Sequence, residues 1–389
     1  MFNRIPDGCL NLEPFFYVNS LILKLNYFHQ MTPKFHSLKI RDIRKETEDT
    51  VSIAFEVPAD LKHDYRYTSG QYLTLKSIIH GEDIRRSYSL CSAPYENVWR
   101  VAVKQVDNGK FSTYANNELK VGQEMEVMTP TGNFTVSPDP STSRSIVLFA
   151  AGSVITPVIS IAKTILHDEP NSDITLFYGN KGFNSIIFRE ELEALKNIYM
   201  ERIRVIHILS RESLGNEIQK GRIDKAKGSE LYDAFLKGTN PDAVYICGPE
   251  AMILGVKDAM IEKGLKEEQV HFELFTTPGG TAQKTETTPS NADEHEIAAS
   301  VTIIIDDDAM EIALSSKGET ILDAAQKAGA DLPFACKGGV CCTCKAKVLE
   351  GSVRMDVNYA LEKDEVAAGY ILTCQSHPTS EHVVVSFDE

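Results

Sequence analysis

Cys336-Lys337-Gly338-Gly339-Val340-Cys341-Cys342-Thr343-Cys344 sets three cysteines in the order C-x4-C-x2-C, and 29 residues separate Cys344 from a further cysteine, Cys374. This is the ligand spacing of a plant-type [2Fe–2S] cluster, with two thiolates for each iron. The loop must fold over the cluster with backbone N–H groups facing sulfur. Gly338 and Gly339 allow the angles and the close approach that side chains forbid. A structural zinc site uses the same residue types but usually pairs two short C-x2-4-C knuckles; only one is present. Cys336, Cys341, Cys344 and Cys374 are the expected metal ligands. Cys342, wedged between two of them, is read as a packed or hydrogen-bonding neighbour.

Cysteine usage elsewhere agrees. The chain has 8 cysteines in 389 residues, and five fall in the last 54 positions. A disulfide scaffold would spread paired cysteines through a small secreted domain. A tight cluster in a cysteine-poor chain reads instead as metal ligation in a reducing, cytoplasmic setting. Residues 297–389 carry 15 acidic against 7 basic residues, more than half of the chain's net charge of −15. Such an acidic module suits docking on a basic protein patch. The same balance argues against nucleic acid, whose phosphates call for clustered Lys and Arg. No run of 18 uninterrupted apolar residues occurs, so no membrane-spanning helix is expected.

Residues 276–296 hold almost no large apolar side chain and are rich in Thr, Pro, Gly and acids. They read as a flexible linker, reaching roughly 25 Å at about 5–6 Å times √n. Upstream, the hydrophobic rhythm has two regimes. Across residues 35–140, short runs at 38–43, 51–57, 72–79, 98–106 and 124–128 are punctuated by Gly70, Gly81, Asn108-Gly109 and Gly132, which predicts a small antiparallel barrel or sandwich. Across residues 141–275, apolar runs at 145–150, 173–178, 203–209, 243–247 and 271–275 alternate with helix-forming stretches, which predicts a parallel sheet with crossovers. Residues 1–34 read as an extension without catalytic role. A signal peptide is not expected there, with Arg4 the only basic flank and no small-residue cleavage site. A short interfacial segment is the other reading.

CKGGVCCTCKAKVLEG (residues 336–351) and NYALEKDEVAAGYILTCQSHP (residues 358–378) resemble the carboxy-terminal ferredoxin domain of reductases of the ferredoxin–NADP reductase type that are fused to their own cluster. Among these, the resemblance points to the reductase subunits of phenylacetyl-CoA epoxidase complexes. It implies three domains: an antiparallel β-barrel for flavin (35–140), an α/β parallel-sheet nucleotide domain (141–275) and, after the linker 276–296, an α+β (β-grasp) plant-type ferredoxin domain (297–389).

Arg86-Ser87-Tyr88-Ser89 matches the family's R-x-Y-S/T flavin motif. The guanidinium can fork onto a phosphate, the Tyr ring can stack on the isoalloxazine, and the Ser hydroxyl can reach its N5 edge. Gly109-Lys110-Phe111-Ser112-Thr113 offers backbone donors at a helix start, a seat for pyrophosphate. The resemblance assigns Val103 to the flavin as well, and favours FAD over FMN. Gly152, Thr156 and Pro157 open a helix after the first parallel strand, the usual dinucleotide phosphate seat. Val154 stands where the family typically has glycine, and a β-branched side chain there is expected to restrict approach. Gly179 and Asn180 end the second strand. Ser210 and Arg211 end the third and suit a ribose 2′-phosphate, hence NADPH, although Glu212 next door would favour NADH. In the family, Cys247-Gly248-Pro249 lies beside the nicotinamide, and Glu273 and Phe275 lie at the flavin. Ser89, Thr156, Cys247, Glu273 and Phe275 are thus the expected catalytic positions; Phe275 reads equally as core.

A hydride carries two electrons, whereas a [2Fe–2S] cluster accepts one; a flavin between them converts one traffic into the other. The expected order is NADPH to FAD to cluster to an acceptor. The resemblance makes that acceptor a di-iron oxygenase of the phenylacetyl-CoA epoxidase complex. Rieske-type or steroid oxygenases remain the alternative, and a non-catalytic flavin/iron–sulfur redox sensor is the reading of another class.

Overall fold

A computed structural model describes residues 34–274 and 296–389. Phe275, and all but one residue each of the expected extension and linker, lie outside the described residues.

Alternating runs form β1 (Phe35–Thr47), β2 (Thr50–Glu56), β3 (Tyr72–Ile79), β4 (Glu82–Ser89), β5 (Trp99–Lys104) and β6 (Glu124–Met128). They pair antiparallel in the order β4-β3-β6-β1-β2-β5. The two end strands also meet. Leu90 bridges Val101, and the Cys91 N–H donates to the Arg100 carbonyl at 2.8 Å. The sheet therefore closes as a barrel, which removes its edges, around Leu38, Ile53, Leu73, Leu75 and Val101. The β3–β4 hairpin turns on His80 and Gly81, at φ 53° and 82°, the paired left-handed residues of a tight hairpin loop. Helix α1 (Lys110–Asn117) tucks Phe111 and Ala115 into the same core. β1 starts earlier and runs longer than its apolar run, because its outward side chains are charged and hide the strand from a hydrophobicity reading.

The second regime forms β7 (Ser145–Ala151), β8 (Asp173–Asn180), β9 (Ile203–Leu209), β10 (Ala243–Gly248) and β11 (Val270–Leu274). All pairings are parallel, in the order β11-β10-β7-β8-β9. Helices α2 (Ile155–Asp168), α3 (Arg189–Tyr199), α4 (Lys225–Leu231) and α5 (Glu250–Glu262) accompany it. The strand order reverses between β7 and β10, where open parallel sheets bind ligands beyond their carboxyl ends. Cys91, Ala102, Phe134 and Val136 of the barrel half join Ile146, Leu148 and Tyr245 in one apolar cluster. Lys163 of α2 reaches the Cys91 carbonyl at 3.2 Å and Glu96 at 3.3 Å. The crevice between the two halves thus has fixed walls.

The last module contains β12 (Ala298–Ile305), β13 (Asp308–Ser315), β14 (Lys345–Glu350), β15 (Val353–Met355), β16 (Tyr370–Leu372), β17 (Ser376–Pro378) and β18 (His382–Ser386). Its main sheet runs β13-β12-β18-β14-β16, with β12 and β18 parallel. Helix α6 (Ile321–Lys327) buries Ile321, Leu322 and Ala325 against it, and α7 (Lys363–Ala367) is a short turn of helix ahead of β16. This is the β-grasp arrangement, with the cluster loop between α6 and β14.

Candidate redox site

Cys336, Cys341, Cys344 and Cys374 converge under the loop. The sulfurs of Cys341 and Cys336 lie 3.1 Å apart, and Cys374 contacts both Cys336 and Cys344. Lys337 and Gly339 take left-handed φ of 50° and 72°; Gly338, expected to share that role, does not. A Cβ on Gly339 would lie 2.9 Å from Val357 Cγ2 and 3.2 Å from Gln375 Cγ. The Gly338 N–H donates to Cys336 Sγ at 3.3 Å. The Cys341 and Cys374 thiols, with the N–H groups of Gly338 and Val340, hold the Cys336 thiol well below its ordinary pKa. A thiolate is what a metal requires. Four thiols shared between two irons, under a loop of inward N–H groups, fit a [2Fe–2S] core better than zinc. Cys342 turns away, its Sγ 3.3 Å from the Ala360 carbonyl.

On β4 the pleat places Arg86 and Tyr88 on one face, and Ser87 and Ser89 on the other. Arg86 Nη1 donates to the Arg85 carbonyl at 2.7 Å, and no carboxylate pairs with Arg86 among the described residues, which leaves a fork for phosphate. The Tyr88 ring lies 5.6 Å from that of Phe111, so the motif adjoins the start of α1. Gly109 caps that helix, where a Cβ would meet Ser112 Oγ at 2.4 Å and Val106 Cγ2 at 2.5 Å. The Ser112 hydroxyl is committed to Val106 N and Gly109 O, each at 3.2 Å, and Lys110 pairs with Glu82. Phe111 and Val103 are buried in the barrel core. The segment therefore offers main-chain N–H groups at the start of α1, its Ser112 and Lys110 side chains being committed elsewhere. The Ser89 hydroxyl is buried without a partner among the described residues, as a group awaiting a ligand would be.

In the nucleotide half, Gly152 has φ 60° and open space where a Cβ would stand. It leads through a tight turn into α2, where Thr156 and Pro157 are buried. Val154 has φ −79° and packs on the α/β core. Its conformation therefore needs no glycine. Asn180, after Gly179, holds Ser210 through its carbonyl at 2.9 Å, and its own Nδ2 is buried and unpartnered among the described residues. Beside it lies a cavity of about 220 Å³ lined by Lys181, Gly182, Asn184, Ser185, Arg211 and Glu212. Glu212 turns back to accept the Phe183 N–H at 2.9 Å; Arg211 is exposed, with no ion pair among the described residues. Cys247, ahead of Gly248 and Pro249, is fully buried, and burial raises its thiol pKa. It registers with Glu273 across β10 and β11. The Glu273 Oε2 is shut from solvent without a partner among the described residues. Burial pushes this carboxyl up to about 8, so it keeps its proton at neutral pH. A separate cavity of about 350 Å³ is walled by charged groups including Arg100, Lys163 and Glu191, and touches none of these positions.

Three family models match in chain order: an oxidoreductase FAD-binding domain at residues 37–136, an oxidoreductase NAD-binding domain at 148–258, and a 2Fe-2S iron-sulfur cluster binding domain at 303–379. One 1,2-phenylacetyl-CoA epoxidase component from Escherichia coli (strain K12) is 42% identical, over 91% of this chain and 98% of its own. The ferredoxin reductase component of a 3-ketosteroid-9-alpha-monooxygenase from Rhodococcus rhodochrous is 34% identical, over 90% of this chain and 96% of its own. The chain belongs to the reductase components of multicomponent oxygenases. The fold of phthalate dioxygenase reductase superposes with a TM-score of 0.55 at 23% identity, covering 90% of this chain and 98% of that one.

This reductase carries FAD and a [2Fe–2S] cluster and uses a pyridine nucleotide. When bound, the flavin takes a hydride and returns its electrons singly to the cluster; the chain supplies placement and a water-poor setting. Tyr72 does much of that placing. Its ring is 2% exposed and clusters with Ala335 and Cys341, and its hydroxyl accepts the Cys342 N–H at 3.0 Å. Thr343 Oγ1 lies 3.4 Å from that hydroxyl and 3.5 Å from Thr74 Oγ1. Val340, from the tip of the same loop, packs into the core of the nucleotide half. Neither Tyr72 nor Thr74 stood out in the sequence. The signal was in the alternation of Tyr72-Leu73-Thr74-Leu75: the leucines fill the barrel, so the other face needs a different partner. No helix among the described residues is long and apolar enough to cross a membrane.

Proposed function

We propose that this chain draws a hydride from NADPH onto FAD and passes the electrons singly through its cluster to a di-iron oxygenase of the phenylacetyl-CoA epoxidase type, in the cytoplasm. The observation that carries it is the seat of the cluster loop: Cys341 lies on barrel strand β3 and Val340 on the nucleotide half, so acceptor and donor halves meet at one place. In this reading Arg86, Tyr88, Ser89 and the Gly109–Thr113 main chain hold the flavin, while Gly152, Thr156, Pro157, Asn180 and Ser210 hold the nucleotide. Cys247 and Glu273 line the reacting edge. The choice of NADPH rests on Arg211, which has no ion pair among the described residues, while Glu212 accepts the Phe183 N–H. The choice of oxygenase rests on the relative at 42% identity; a steroid monooxygenase is the second reading, favoured by the relative at 34%.

Anaerobic titration with NADPH, followed by absorbance and by EPR of frozen samples, tests the internal path. Flavin bleaching followed by a reduced-cluster signal is the expected result. Flavin that bleaches with dithionite but with neither NADPH nor NADH would overturn it. Oxygen-dependent turnover of phenylacetyl-CoA, but not of a 3-ketosteroid, with the matching oxygenase components then separates the two acceptors.

A further inference from the structure

Arg85 immediately precedes the flavin motif, and the pleat of β4 points it away from Arg86. Its side chain is 6% exposed. It stands directly across from Lys76 in the β3–β4 register, and like charges facing each other on a sheet are destabilising. Lys76 is balanced within the barrel by Glu126 at 2.9 Å, whereas Arg85 divides its fork between the barrel and the ferredoxin module.

What surrounds Arg85 belongs largely to the ferredoxin module. Nη2 lies 3.1 Å from Asp331 Oδ1, and Nη1 donates to the Leu332 carbonyl at 3.4 Å. The guanidinium sits 4.3 Å from the centroid of the Phe334 ring, a ring that also receives Lys337 Nζ at 4.8 Å. Phe334 is two residues ahead of Cys336, and Lys337 follows it, so the Arg85–Phe334 contact acts on the start of the ligand loop. On the barrel side, Asp83 pairs with the same guanidinium at 3.0 Å and the Phe35 ring lies 5.3 Å from it, which fixes the direction of the fork. Asp331, by contrast, is 81% exposed.

We infer that Arg85 is the positioning residue that docks the cluster domain on the flavin barrel and thereby sets the rate of electron transfer from flavin to cluster. The strand that carries the flavin motif thus also presents Arg85 to the domain that receives the electron. Each transfer removes one electron from the reduced flavin and adds one to the oxidised cluster, so what Arg85 contributes is the population of the docked arrangement.

The inference rests on the proposed electron path, and the test separates the two. Three full-length holoprotein variants are compared with the parent: Arg85→Ala, Phe334→Leu and Asp331→Ala, the last at an exposed site that leaves the barrel intact. Loss of a hydrogen bond to a charged partner lowers a docked population by about tenfold or more. Stopped-flow reduction by NADPH should therefore show flavin reduction within about twofold of the parent but cluster reduction slowed about tenfold in Arg85→Ala. Ferricyanide, which strips electrons from flavin directly, should be reduced at the parental rate, whereas cytochrome c reduction through the cluster should fall. Independently of turnover, amide hydrogen exchange across residues 335–343 should lose protection by a similar factor, and Arg85→Lys should restore only part of it, because an ammonium lacks the planar fork. Parental protection and parental cluster reduction in all three variants would overturn the role of Arg85. If the parent itself fails to reduce its cluster with NADPH, the proposed path falls instead.

Discussion

Glu273 gives the sharpest quantitative prediction. Its carboxyl is buried beside Cys247 and pushed from an ordinary 4.5 up to about 8. Between those two values the folded chain holds a proton that the unfolded chain has released, so stability falls as pH rises. The slope is about 1.4 kcal/mol per pH unit for one proton. From pH 6 to pH 8 this single group withdraws about 2 kcal/mol, the last part of the step flattening as the folded-state value is reached. For a domain of this size about 4 °C accompanies each kcal/mol. The unfolding transition of the nucleotide half should therefore fall on the order of 8 °C more in the parent than in Glu273→Gln over that pH interval. The assay is calorimetry of the holoprotein and the variant in matched buffers at pH 6, 7 and 8, with amide exchange of β10 and β11 identifying the transition. Parallel pH profiles for the two proteins would refute the buried, protonated carboxyl. A parent that gains stability relative to the variant as pH rises would mean that the carboxylate has a partner when the cofactors are bound.

The remaining predictions concern the loops. Arg211→Ala should raise the KM for NADPH by about 10- to 100-fold, the worth of a charged hydrogen bond, and leave the KM for NADH within about twofold; steady-state kinetics with both nucleotides decides. Cys342→Ala should retain full iron content, whereas Cys344→Ala should lose the visible cluster spectrum, as iron analysis of the purified proteins will show. Gly339→Ala puts a Cβ 2.9 Å from Val357 at a left-handed φ. Overpacking of that kind costs about 1–3 kcal/mol, so its ferredoxin module should melt about 4–8 °C lower per kcal/mol lost.

The ligand cysteines were legible because a cluster imposes spacing along one short loop, and the change from barrel to parallel sheet was legible because the hydrophobic period changes with it. Arg85 and Tyr72 were not. Both act on residues some 250 positions away in sequence, and nothing local distinguishes a strand face that meets solvent from one that meets another domain. The turn at Lys337 was hidden for a related reason. Neighbouring Gly338 and Gly339 look interchangeable in sequence, yet the loop spends its left-handed angles on Lys337 and Gly339. At Val154, where sequence reading missed a glycine, the backbone stands at φ −79° and requires none. Arg211 and Glu212 make the general point most clearly. Adjacent charges of opposite sign support either nucleotide when read along the chain. In space, Glu212 accepts the Phe183 N–H, while Arg211 has no ion pair among the described residues. The local hydrogen-bond accounting thus separates two charges that sequence alone leaves equivalent.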